Sequence, residues 1–234
     1  LSAASIDLER SPSFPPSPKT VESSSGFALP ELPVSVRIGL LRADKLTLRE
    51  PVLGQEIVVS INGAGQLAGG EGSTEFTIVR NDGKVGELTL KASYANATGQ
   101  ATIDLLAKEG ADGIAATLLD LPGKPAAQLA LHGSGTLDDF STDMALATDG
   151  QPRLTGTVKL GQRTEAAGKP VGRTFALNLS GDISPLLQPA YRDFFGTAVS
   201  LEAEGIDIPG VRTDLTRLVL DSAGVDITGR LNLT

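Results

Sequence analysis

The chain has 234 residues, of which 40% are hydrophobic, so disorder along its whole length is excluded. A net charge of −8 argues against nucleic acid, which requires a Lys/Arg stripe, and the sequence shows no polybasic patch for a membrane surface. The absence of cysteine excludes a disulfide framework, thiol chemistry and zinc-ribbon sites.

Residues 1–10 carry a strand-like remnant, Ile6 and Leu8, which reads as the end of a preceding β repeat. Residues 11–33 are rich in Pro and Ser, and proline removes backbone donors and fixes φ, so this stretch reads as a linker or long loop. From residue 34 to 183 a period-2 alternation dominates and predicts strand after strand. Ile57, Val59 and Ile61 share one face; Leu88, Leu90, Ala92 and Tyr94 share another, with Glu87, Thr89, Lys91 and Ser93 opposite. Ile103 and Leu105, Leu129 and Leu131, Met144 and Leu146, and Leu177 and Leu179 continue it, and Leu201 follows beyond residue 197.

Between these runs stand the turn signals Asn81-Asp82-Gly83, Glu109-Gly110, Leu121-Pro122-Gly123, Asp149-Gly150 and Ala223-Gly224. The glycines from Gly63 to Gly70 read as turn residues, because neither their spacing nor a following helix fits a phosphate loop. Ile114–Leu119 is a strand-sized apolar run, well short of the ~20 residues of a spanning helix.

Residues 184–196 break the pattern. Ser184 as N-cap, Pro185 at N1 and Gly196 past the end predict a short helix, strained by Pro189. It holds Tyr191, Phe194 and Phe195, and is expected to plug the sheet's apolar face. Residues 197–234 resume the strands and stop on an alternating run, so the chain reads as an internal piece of something longer.

The expected fold is all-β: a long antiparallel meander, roughly a dozen strands or more, with one short helical break. At about 4.8 Å per strand a dozen strands span roughly 60 Å, and such a sheet must close, fold over or stack. Aromatics make up only 4%, so the apolar face is aliphatic. Periodicity alone favours the filled core of a β-sandwich.

Catalytic equipment is missing. His132 is the single histidine and reads as a surface residue near a turn; Ser134 and Asp138 or Asp139 nearby lack the Gly-x-Ser-x-Gly elbow. The acidic residues at the turns lack the dense spacing of a calcium loop, and the sugar platforms of a glycosidase are absent with no Trp and two Tyr. The expectation is a protein that is not an enzyme, with no metal and no cofactor.

Several stretches resemble the TamB family of the AsmA-like superfamily: Leu29-Pro30-Glu31-Leu32-Pro33-Val34-Ser35-Val36-Arg37-Ile38-Gly39, Glu50-Pro51-Val52-Leu53-Gly54-Gln55, Ala92-Ser93-Tyr94-Ala95-Asn96-Ala97-Thr98, Leu137-Asp138-Asp139-Phe140 and Ala147-Thr148-Asp149-Gly150-Gln151-Pro152-Arg153-Leu154. The resemblance implies a periplasmic protein of a Gram-negative bacterium, anchored in the inner membrane through a segment outside this chain. It implies a half-pipe, or β-taco, whose interior takes phospholipid acyl chains towards the outer membrane or holds substrate β-strands. It also implies a TamA-like outer-membrane barrel as partner, reached through other regions. The resemblance reverses the preference for a sandwich. On it, the groove candidates are Ile57, Val59, Ile61, Leu88, Leu90, Tyr94, Ile103, Leu105, Leu129, Leu131, Leu146, Leu177, Leu179 and Leu201.

Overall fold

In the computed structural model, residues 2–8, 35–53, 55–164, 170–208 and 212–233 are described. The Pro/Ser-rich stretch 11–33 lies outside them. Two short strands come first, β1 (Ser2–Ala3) and β2 (Ile6–Leu8), then β3 (Val36–Leu48), β4 (Ile57–Ala68), β5 (Glu71–Arg80), β6 (Gly86–Ala95) and β7 (Gln100–Glu109). They are followed by β8 (Ala127–Thr136), β9 (Asp139–Thr148), β10 (Gln151–Thr164), β11 (Pro170–Gly181), β12 (Val199–Ile208), β13 (Arg212–Asp221) and β14 (Asp226–Leu233).

All fourteen belong to one sheet, and from β3 to β14 each strand pairs antiparallel with the next in sequence. The sheet stays open rather than closing into a barrel or stacking as a sandwich, so the half-pipe class is the one realised. β1 and β2 pair with β3 in parallel, and Arg49 fastens β2 through a fork onto Asp7, with Nε–Oδ1 3.1 Å and Nη2–Oδ2 2.7 Å.

The hairpins follow local chemistry. Asp149 and Gly150 both take positive φ, at 50° and 75°, the form a two-residue turn needs to match the strands' twist. Gly69 and Gly70 make the corresponding turn between β4 and β5. Gly63 and Gly65, expected in turns, stand instead inside β4: Gly63 lies opposite Phe76, and a Cβ there would meet Phe76 Cβ at 2.6 Å. Close approach by the neighbouring strand, not a turn, accounts for that glycine.

Among the described residues three α-helices interrupt the meander: α1 (Glu50–Leu53), α2 (Ile114–Leu118) and α3 (Pro189–Phe195). α2 corrects the strand-sized reading of Ile114–Leu119. Glu109 decides it locally, since its Oε2 accepts from Ala115 N–H at 2.8 Å and satisfies an orphan donor of the first turn. The expected helix over 184–196 is two pieces, a 3-10 turn at Ser184–Leu186 and then α3. Pro189 occupies the first turn of α3, where its missing N–H costs nothing, and Asp182 Oδ1 accepts from both N and Oγ of Ser184.

Candidate functional site

Residues directly opposite in an antiparallel ladder share a face, so the register can be followed across the whole sheet. Val59 pairs with Leu46, and Ile61 with Ile78; Ile78 pairs with Leu88, and Phe76 with Leu90. Leu90 pairs with Leu105, Leu105 with Leu131 and Leu131 with Met144. Leu146 lies opposite Leu154, Val158 opposite Leu177, Leu179 opposite Leu201, and Leu201 opposite Leu220. Ile57 joins through Leu48, Tyr94 through Ala101 two residues before Ile103, and Leu129 through Leu146. All fourteen aliphatic and aromatic positions singled out in the sequence therefore stand on one face.

The other face is mostly polar, with Val58, Val79 and Leu106 among its apolar members. It carries the direct pair Glu75 and Lys91, 2.9 Å apart, and Arg217 bonded to Glu202 at 2.6 Å. The Glu75 carboxylate raises the Lys91 pKa, chiefly through their hydrogen bond. Such exposed pairs add little stability, but they keep this face wet. His132 lies on it in mid-strand, not near a turn, with Nδ1 3.7 Å from Asp104 Oδ2 and open to solvent. Among the described residues no three His, Cys, Asp or Glu side chains group in a way that holds a metal ion.

Burial along the apolar face is graded. Leu46, Ile57 and Val59 form a buried cluster, with Leu48, Ile61, Ile78 and Ile114 packed on it. Most of the remaining face is half-buried, and Leu160 is 51% exposed. A filled β-sandwich core would bury these side chains; an open trough leaves them accessible.

The deep end has a roof. The 110–126 connection carries α2 over the inner face and forms a half-open cavity of about 430 Å³, within the size range of small-ligand pockets. Ile57, Val59, Ile78, Leu88, Leu129 and Leu146 supply much of its wall, with Ile114, Ala115 and Leu119 from the roof. The aromatic segment near the far end makes no such cover. Tyr191 and Phe194 are exposed, and α3 abuts the β13–β14 turn, where Ala223 N–H donates to Phe195 O at 3.2 Å. Tyr191 and Phe194 thus plug nothing, and at the deep end the cover is α2.

Comparison with protein-family models, with curated proteins and with solved structures finds no match for the chain.

Several inner-face residues escape a reading by periodicity. In β3, register shifts between Ile38 and Leu41 and between Ala43 and Leu46 break the alternation that would have marked Leu46 and Leu48. Phe76, Ile78 and Arg80 do alternate in β5, but Val79 beside them blurs the pattern. Arg80 is the informative member: it lies opposite Val59, which places a cation on the apolar side.

Proposed function

We propose that this chain is a segment of a TamB-like periplasmic protein, anchored in the inner membrane by a part outside it, whose apolar groove carries phospholipids towards the outer membrane and supports outer-membrane protein assembly. The observation that carries the reading is the largely aliphatic face that runs from β3 to β14, left open rather than packed against a second sheet. A groove for acyl chains needs aliphatic walls and a polar exterior, because an unpaired charge in a dry site costs several kcal/mol. The protein works by holding and passing a ligand, without catalysis, and meets a TamA-like barrel through other regions.

The test is photocrosslinking in the periplasm from Leu90 and Leu177 on the inner face, with Lys91 and Asn178 on the outer face as controls. Lipid adducts from the first pair and none from the second are expected. Inner positions that never capture lipid while the sheet remains folded would defeat the proposal.

One feature favours a second reading, a chaperone or scaffold for outer-membrane client strands. The far side of β14 has no partner strand among the described residues, and an open edge pairs readily with an extended chain. Adducts from β14 to unfolded barrel substrates, without lipid adducts, would favour it.

A further inference from the structure

The cavity under α2 has one charged side chain on its wall whose hydrogen bonding is incomplete. Arg80 stands on the inner face opposite Val59, with its stem across Gly86, where a Cβ would meet Arg80 Cγ at 2.7 Å. Its side chain is 4% exposed. Nε and Nη2 donate to Asp82, at 3.1 and 2.5 Å, while Nη1 is buried with no hydrogen-bond partner.

A buried donor left unmet is costly, more so on a charged group. The neighbouring wall is mostly aliphatic, and the charged residues that share it, Glu87, Lys108 and Glu109, leave Nη1 without an acceptor. Glu109 also lines the cavity, but its Oε2 already accepts from Ala115 at the start of α2. Asp82 compensates the formal charge of Arg80, so what Nη1 lacks is an acceptor atom. The adjacent basin is lined by Lys84 and Lys124, with Asp112, and by Gln55, whose Nε2 is also buried and unpartnered. Two buried unpartnered donors, Arg80 Nη1 and Gln55 Nε2, and two lysines thus stand at this end of the sheet, beside the largely aliphatic cavity.

We infer that this end is a head-group site for an anionic amphiphile: the cavity under α2 takes the start of an acyl chain, and Arg80 Nη1 donates to a carboxylate or phosphate oxygen at its head. The inference rests on the groove being an acyl-chain carrier and adds where, and by which residue, a head is held. Guanidinium suits the task because its remaining N–H groups can engage an anionic oxygen while the other edge stays on Asp82.

The test compares ligands of one chain length on the purified chain by native mass spectrometry: palmitate and palmitoyl lysophosphatidate, uncharged monopalmitoylglycerol, and inorganic phosphate alone. The anionic amphiphiles should bind about tenfold or more tightly than the uncharged one. Arg80→Met should abolish the difference between the anionic amphiphiles and monopalmitoylglycerol, and Arg80→Lys should retain part of the preference. Equal binding of charged and uncharged amphiphiles by the unaltered chain overturns the head-group site and leaves the groove standing. Phosphate binding as tightly as lysophosphatidate overturns the amphiphile in favour of a free-anion site. No amphiphile binding at all defeats the groove reading too.

Discussion

Arg80 and Asp82, two residues apart at the end of β5, form a forked ion pair whose cationic side is 4% exposed and whose acidic side is 18% exposed. The asymmetry has a consequence for mutation. Removing the acid strands a buried cation, whereas removing the cation leaves an acid that solvent and the Lys84 N–H can still satisfy. Asp82→Ala should therefore destabilise the chain by about 3 kcal/mol, and Arg80→Met by about 1 kcal/mol or less, since its stem still packs on Gly86. Urea unfolding of both variants checks the order. A reversed order would mean that Arg80 reaches water.

The same pair sets an acid response. The hydrogen bond from Arg80 is the largest influence on Asp82 and holds its pKa below the ordinary 3.8, against the opposing effect of burial. A carboxylate depressed in the folded state contributes stability that is complete above the unfolded value and disappears as pH falls through the folded one. The chain should hold this contribution at pH 5 and above and lose it below about pH 4, whereas Asp82→Asn should lack that component of the loss. Unfolding curves from about pH 6 to 2 measure it.

A different contact shapes the far end of the trough. Phe175 in β11 lies directly opposite Gly205 in β12, and a Cβ on the glycine would lie 2.8 Å from Phe175 Cε1 and 2.6 Å from the backbone oxygen of Asp214. The missing side chain gives the ring its resting place along the sheet. Gly205→Ala should displace the ring and cost about 1–3 kcal/mol. The double variant Gly205→Ala/Phe175→Leu should recover part of that loss, which a double-mutant cycle by thermal unfolding resolves. Recovery is partial because leucine removes the ring atoms that collide and leaves the Asp214 backbone oxygen in place.

Much of this architecture is legible in the amino-acid order because the strands have one wet face and one dry face. Leu88, Leu90 and Tyr94 alternate with Glu87, Lys91 and Ser93, and that alternation fixes their shared side without a structure. What escapes is decided by tertiary placement. The β3 bulges shift the period just where Leu46 enters the buried cluster. Ile114–Leu118 is too short to show a helical period, and its helix depends on Glu109 arriving from the preceding strand. Arg80 looks like an ordinary charge before a turn until its cross-strand neighbour Val59 is known. Alternation also cannot distinguish a filled core from an open trough, since both ask the same residue types to face inwards.

The gradient of burial along the inner face makes that distinction measurable. Val59, at 4% exposed, lies in the cluster beneath α2, whereas Leu160, on the same face six strands away, is 51% exposed. If the face were a closed core, a charge at either position would be similarly damaging. With the trough open towards β10, Val59→Lys should cost about 4 kcal/mol or more, because the ammonium has no partner and no water. Leu160→Lys should cost no more than about 1 kcal/mol, since its head reaches solvent without leaving the sheet. Urea titration of the two variants side by side gives the comparison. Equal losses would mean that the face closes over at β10, and passage of an acyl chain along it would then need the sheet to part.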